Sequence, residues 1–195
     1  RYLLSEGIDG KTIFVTGSPM REVLKNHMDE INRSDVLTRM NLEPKKYILV
    51  SAHREENIDN EEHFMSLMTA INEIAEKYKM PIIYSTHPRS MKFIEKRNFK
   101  FHPLVQNPKP FGFFDYNKLQ LNSYCVLSDS GTLSEESAML NFPGVLIRTS
   151  TERPEVLDKG TVVIGGIKGN DVAQAMDLAV SMYDNNEPTV MAEDY

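Results

Sequence analysis

The chain has one cysteine, Cys125, inside the apolar run Tyr124-Cys125-Val126-Leu127. No disulfide can form within it, which excludes a disulfide-stapled scaffold and suits a reducing cytoplasm. No apolar run is long enough to span a bilayer, and no signal-peptide pattern opens the chain; with Arg1 in place of Met, it reads as a trimmed or partial sequence. An excess of positive charge is also missing. A net charge of −6 and a pI near 5.4 exclude bulk nucleic-acid binding, so any phosphate must be held locally. Neither a nucleic acid nor a membrane is an expected partner. Internal repeats and low-complexity linkers are absent too. At 195 residues, with 41% hydrophobic and 26% charged residues, the chain can bury a sizeable core as one domain or two small ones.

Strand-like and helix-like runs alternate along the chain. Short apolar strands are expected at Thr12–Val15, Lys46–Ala52, Pro81–Thr86, Phe101–Val105, Tyr124–Leu127, Val145–Ile147 and Thr161–Ile164. Helices are expected from about Met20 to Ile31 with Pro19 near the first turn, at Asp35–Met40, Glu61–Tyr78, Met91–Lys96 and Asp115–Leu121, through Glu136, and at Asp171–Tyr183. Glu61–Tyr78 places Phe64, Leu67, Met68, Ile71, Ile74 and Ala75 at helical spacing, and the last helix does the same with Val172, Ala175, Met176, Ala179 and Met182. This alternation implies an α/β fold: a Rossmann-like parallel sheet of about six strands, with helices on both faces and right-handed crossovers.

The stretch Asp129-Ser130-Gly131-Thr132-Leu133-Ser134-Glu135-Glu136 follows a strand and opens a helix. Free backbone N–H groups at Ser130, Gly131 and Thr132 would point at an anion where the helix dipole favours negative charge. Gly131 allows close approach. Glu136, more than one turn into the helix, could then accept hydrogen bonds from ribose hydroxyls, which reads as a nucleotide-diphosphate site. The same residues also fit an ordinary N-cap followed by two glutamates.

Other strands end in polar residues. Lys46–Ala52 runs into His53-Arg54-Glu55-Glu56-Asn57, Pro81–Thr86 into His87-Pro88-Arg89, and Val145–Ile147 into Arg148. In an open α/β sheet, ligands bind beyond the carboxyl ends of strands, so these residues form a basic rim. Between Gln106 and Leu121, Phe111, Phe113, Phe114 and Tyr116 crowd around Pro108, Pro110 and Gly112. Phe113 and Phe114 read as a core plug, whereas Phe111 and Tyr116 are the candidates for a flat wall against a base.

Four motifs together resemble the non-hydrolysing UDP-N-acetylglucosamine 2-epimerases. They are His53-Arg54-Glu55-Glu56-Asn57, Ser85-Thr86-His87-Pro88-Arg89, Asp129-Ser130-Gly131-Thr132 with Glu135-Glu136, and Thr151-Glu152-Arg153-Pro154-Glu155. The resemblance runs from Phe14-Val15-Thr16-Gly17 to the final helix and corresponds to the C-terminal half of such an enzyme. The wording of the first motif and Gly112–Leu119 look most like the branch acting on UDP-2-acetamido-2,6-dideoxy-hexoses or UDP-diacetamido-uronates, for capsule and O-antigen synthesis.

The resemblance implies one half of a glycosyltransferase-B architecture, with residues 1–195 as a single UDP-binding C-terminal domain and a homodimer when full length. His53 would sit by the diphosphate, Ser130, Gly131 and Thr132 would hold phosphate oxygens, and Glu136 would bind ribose. Phe111 and Tyr116 would lie around the uracil, and Arg153 would contact UDP. Arg54 and His87 match positions near an effector nucleotide-sugar in some members, with Glu135 as a further supporting residue. Thr132 departs from the pattern, standing where many members have a second glycine. The implied reaction eliminates UDP across C1–C2 of the sugar to give a glycal and then adds it back. His53 and Arg54 would stabilise the departing charge. The proton-transferring carboxylates would lie in the other half, and Glu56 is the one candidate base in this chain. No metal or cofactor is expected. A glycosyltransferase of the same architecture, a hydrolysing 2-epimerase and a non-catalytic UDP-sugar-binding module stay open as alternatives.

Overall fold

The computed structural model describes residues 2–14, 16–148 and 162–185. Among them six strands form one parallel sheet: β1 Ile48–Ser51, β2 Ile82–Tyr84, β3 Val105–Gln106, β4 Cys125–Ser128, β5 Gly144–Leu146 and β6 Val163–Ile164. Their spatial order is β3-β2-β1-β4-β5-β6, and every neighbouring pair is parallel. The helices are α1 Tyr2–Ser5, α2 Pro19–Asn26, α3 Met28–Arg33, α4 Val36–Arg39, α5 Glu55–Ile58, α6 Glu61–Tyr78, α7 Pro88–Lys96, α8 Phe113–Asn122, α9 Leu133–Leu140 and α10 Gly169–Asp184. None of the described helices is long and apolar enough to cross a membrane.

Strands buried on both faces need apolar residues of both parities, and these have them. Ile48, Val50, Ile82, Tyr84, Cys125, Leu127 and Val145 pack on one side with α6 and α10, where Phe64, Leu67, Met68, Ile71, Ile74, Val172, Ala175 and Met176 are buried. Leu49, Ile83, Val126 and Leu146 face the other side, against Leu24, Ile31, Val36, Leu119, Leu133 and Leu140 of α2, α3, α4, α8 and α9. Each large side chain buried this way contributes about 1.5–3 kcal/mol. The helical spacing read for α6 is thus its core face. Its start is fixed by Asn60, whose Oδ1 accepts the His63 N–H at 3.1 Å. Cys125 is fully buried in this core, and desolvation pushes its thiol up to about 12.

Three expectations give way. Thr12–Phe14 is no strand: Gly10–Thr12 is a 3-10 turn, and Phe14 stands 81% exposed. That run finds no strand to pair with among the described residues, and Val15 lies outside them. The helix expected over Met20–Ile31 starts one residue earlier, at Pro19, and breaks at His27 (φ −112°, ψ 12°) into α2 and α3. Leu24 and Ile31, seven residues apart, stay in the same core across the break. The Phe101–Val105 strand shrinks to Val105–Gln106, because only its end pairs with β2.

Candidate functional site

β1 pairs with β2 on one side and with β4 on the other, so the strand order reverses there and the carboxyl ends of β1 and β4 open onto a crevice. Ser51 and Ser128 are register partners, so the loops that follow them emerge side by side. Asp129, wholly buried, is the first residue beyond β4. Its Oδ2 accepts three hydrogen bonds, from the N–H of His53 (2.9 Å), the N–H of Arg54 (2.8 Å) and Asn57 Nδ2 (3.1 Å). Its Oδ1 lies 3.5 Å from His53 Nδ1. Asn57, also buried, donates a second bond to the Ile147 carbonyl at 3.2 Å. One carboxylate therefore shapes the whole His53–Asn57 loop. The motif alone assigns Asp129 no role; its place directly after an apolar strand is the signal in the sequence.

The loop then turns into α5 and places its side chains over the crevice. A cavity of about 440 Å³ is lined by His53, Arg54, Glu55, Glu56, His87 and Arg89. The rings of His53 and His87 lie 5.9 Å apart at 36°. His87 caps α7, its Nδ1 accepting the Arg89 N–H at 3.2 Å. Arg89 pairs with Glu55 at 2.7 Å and with Asp59. Glu56 Oε1 accepts from Arg148 Nε at 3.0 Å and lies 3.8 Å from Arg54 Nη1. The expected rim is therefore real for His53, Arg54, His87 and Arg89, while Arg148 is buried behind it and engaged with Glu56. Glu56 shares one oxygen between two guanidiniums, a clamp arrangement in this structure.

The turn before α9 is organised differently from expectation. The Ser130 N–H donates to Ser128 Oγ at 3.1 Å, and the Thr132 N–H to Ser130 Oγ at 3.3 Å, so two of the three amides expected to be free are held by serine hydroxyls. Gly131 is half-buried between them. Thr132, the residue in place of glycine, bridges Ser130 Oγ (2.9 Å) and Glu136 Oε1 (2.8 Å). Glu136 Oε2 accepts from the buried Gln120 Nε2 at 2.6 Å. Tyr116 belongs to the same neighbourhood. Burial and then the Glu136 charge push its phenol above the ordinary value, while a hydrogen bond with Ser51 works the other way. Phe111 packs against the same core as Tyr116.

Glu135 points away from Glu136. It is buried and accepts Ser18 Oγ–H at 2.6 Å, joining α9 to the loop that caps α2. The core plug is corrected: Phe113 and Phe114 are 39% and 40% exposed, because they stand in the first turn of α8, packed edge-on to each other and against the His27 ring. Arg153 and the rest of its motif lie outside the described residues. Among the described residues, no group of three or more His, Cys, Asp or Glu side chains is placed to hold a metal ion. The crevice thus joins two chemically different walls: an ionic one at β1, β2 and α5, and a hydroxyl-lined helix start at β4.

The model of a family described as UDP-N-acetylglucosamine 2-epimerase matches residues 1–195. The UDP-N-acetylglucosamine 2-epimerase of Methanocaldococcus jannaschii is 32% identical over 187 residues, covering 92% of this chain and 51% of the relative. The solved UDP-N-acetylglucosamine 2-epimerase of Rickettsia bellii is 37% identical with a TM-score of 0.84, over 100% of this chain and 52% of that one. The M. jannaschii enzyme, solved in complex with UDP-GlcNAc and UDP, superposes with a TM-score of 0.85 at 28% identity, over 98% of this chain and 55% of that one. The fold recurs in Escherichia coli ADP-heptose LPS heptosyltransferase II at 9% identity and a TM-score of 0.53, over 76% of this chain and 51% of that one. The fold is one half of a glycosyltransferase-B architecture. The chain spans about half the length of the curated relatives it matches.

Proposed function

Because the chain belongs to the UDP-N-acetylglucosamine 2-epimerase family, we propose that it is the UDP-binding C-terminal half of a non-hydrolysing UDP-N-acetyl-hexosamine 2-epimerase. The observation that carries this reading is the meeting of the His53–Asn57 loop and the Ser130–Thr132 turn at the ends of β1 and β4, with Glu136 facing Tyr116 on the same side. A diphosphate there would contact His53 and Arg54 on one wall and the start of α9 on the other. Its nucleoside would extend towards Glu136, Tyr116 and Phe111. Arg153 would complete the UDP contacts.

The chemistry follows from that placement. The C2 proton of a pyranose is not acidic enough to be removed cheaply. Expelling UDP from C1 as that proton leaves C2 produces a glycal, and re-addition of UDP after protonation from the opposite face inverts C2. The C1–O bond that breaks leaves its electron pair on the diphosphate. His53, Arg54 and the α9 N-terminus would stabilise that charge as it develops, in a site already ordered before reaction. Glu56, bridging Arg54 and Arg148, would hold these cations in place; as a proton acceptor it would first have to release them. The C2 acid and base belong to the half absent from this chain. His87, across the cavity from His53, together with Arg54 would meet a second nucleotide-sugar acting as effector, and Glu135 would support α9 through Ser18. The finer reading is a modified UDP-HexNAc substrate for capsule or O-antigen synthesis, which rests on the wording of the His53–Asn57 and Gly112–Leu119 segments; a cytoplasmic setting is read from the lone cysteine, and the homodimer from the family resemblance.

Two measurements test this. Calorimetry should show UDP binding to this chain, and solvent deuterium should enter C2 of a UDP-HexNAc sugar only with the full-length enzyme. A folded chain that ignores UDP would overturn the assignment of the crevice. Deuterium incorporation by this chain alone would place the base here and make Glu56 its first candidate.

A further inference from the structure

Two histidines flank the cavity, and the surrounding structure treats them in opposite ways. His53 turns Nδ1 towards Asp129, a wholly buried carboxylate whose Oδ2 is saturated by three N–H donors while its Oδ1 makes no hydrogen bond and lies 3.5 Å from that nitrogen. An ionised carboxylate oxygen accepts and does not donate, so at 3.5 Å it favours the proton on the ring nitrogen that faces it. His87 turns Nδ1 towards the Arg89 backbone N–H, which donates to it at 3.2 Å. A nitrogen that accepts cannot carry the proton, so neutral His87 is protonated on Nε2.

We propose that Asp129 is the positioning residue that fixes neutral His53 with its proton on Nδ1, so that the two imidazoles offer the cavity opposite groups: a lone pair on His53 Nε2 and an N–H on His87 Nε2. The other charged side chains lining the cavity are Arg54, Glu55, Glu56 and Arg89. Of these, Arg54 and Glu56 pair with each other and Glu55 with Arg89, so the histidines are the groups whose hydrogen-bonding sense is set by a single proton. The arrangement has a chemical consequence. A neutral His53 accepts a hydrogen bond from a ligand hydroxyl, and it donates to a diphosphate oxygen only after taking up a proton on Nε2. Asp129 faces Nδ1–H in either state and orients the ring without exchanging protons itself, as a buried aspartate does for the imidazole of a catalytic triad. His87 can donate to a ligand oxygen in its neutral form. The consequence for catalysis rests on the epimerase reading; the tautomers themselves do not.

Long-range 1H–15N correlation spectra of the histidine rings, recorded on this chain at a pH where all five histidines are neutral, give the tautomers directly. His53 is expected as Nδ1–H and His87 as Nε2–H. In Asp129→Asn, the amide oxygen can keep the three N–H donors while its NH2 group faces His53 Nδ1 and donates to it. That variant should therefore show His53 as Nε2–H, with His87 unchanged as the internal control. In the full-length enzyme the same variant should lose at least a hundredfold in turnover with much less change in KM for the UDP-sugar. Wild-type His53 found as Nε2–H would overturn the proposal, even if the variant failed to fold. A folded variant that kept the wild-type tautomer would also overturn it. A reversed tautomer with normal turnover would remove Asp129 from the reaction. Failure of the wild-type chain to bind UDP would instead count against the epimerase reading while leaving the tautomers standing.

Discussion

The loop after β1 and the turn after β4 form adjoining walls of one crevice, yet they are held in different ways. His53–Asn57 hangs on one wholly buried carboxylate that accepts three N–H groups. Ser130–Thr132 is held by hydroxyls of Ser128, Ser130 and Thr132 bonding to neighbouring amides and to each other. A charge-assisted bond to a buried carboxylate is strong and has no substitute when lost. A hydroxyl can rotate, and an arriving phosphate oxygen can take the amide it held. In the proposed site the first wall would therefore be preorganised for the ligand, and the second would yield to it.

The largest expected effect comes from removing the anchor of the first wall. Asp129→Ala strands three N–H donors, and with an unmet buried donor costing about 1–3 kcal/mol, urea denaturation should show a loss of roughly 3 kcal/mol or more. A loss below about 1 kcal/mol would mean that the loop is not held by this carboxylate. Next comes His53→Ala in the full-length enzyme, expected to cut turnover by about two orders of magnitude, as when one oxyanion donor is lost. Its melting temperature should barely move, because Asp129 grips the His53 backbone; normal turnover would make His53 an ordinary loop residue. Glu136→Ala should weaken UDP binding by roughly 1–3 kcal/mol for lost hydrogen bonds to a charged group, read by calorimetry. Equal affinities would take Glu136 out of the site. The smallest effect tests the second wall. Ser130→Ala removes one hydroxyl from an adaptable set and should lower stability by about 0.5–1.5 kcal/mol, while UDP binding changes less than in Glu136→Ala. A collapse as severe as that of Asp129→Ala would erase the contrast between the walls.

The elements legible from sequence were those where burial and pattern agree. The alternating packing of Ile48, Leu49 and Val50 on opposite faces and the face of α6 follow from apolar runs and spacing, and the strand ends led directly to His53, His87 and the start of α9. Thr12–Val15 looked the same locally, but a strand needs a neighbour, and pairing is a property of the whole sheet. The break at His27 was hidden because α2 and α3 each keep helical spacing. Three-way acceptance by Asp129 joins residues 72, 75 and 76 positions apart, a distance no local pattern reports. Phe113 and Phe114 misled in the opposite direction: apolar side chains at the head of a helix can rest on a surface ring such as His27 instead of entering a core.

The parallel pairing of β1 with β4 also bears on how the protein reaches this shape. No two neighbouring strands of the sheet can close as a hairpin, and each pairing must wait for a crossover to form. β1 and β2 are joined through α5 and α6, but β1 meets β4 only after β2, α7, β3 and α8 have been threaded between them. Contacts so remote in sequence carry a higher loop-closure entropy and slow the search for the native state. The seam that makes the crevice is thus also the strand pairing most remote in sequence among the described residues, and a crevice built there should mature with the closing of the sheet rather than ahead of it.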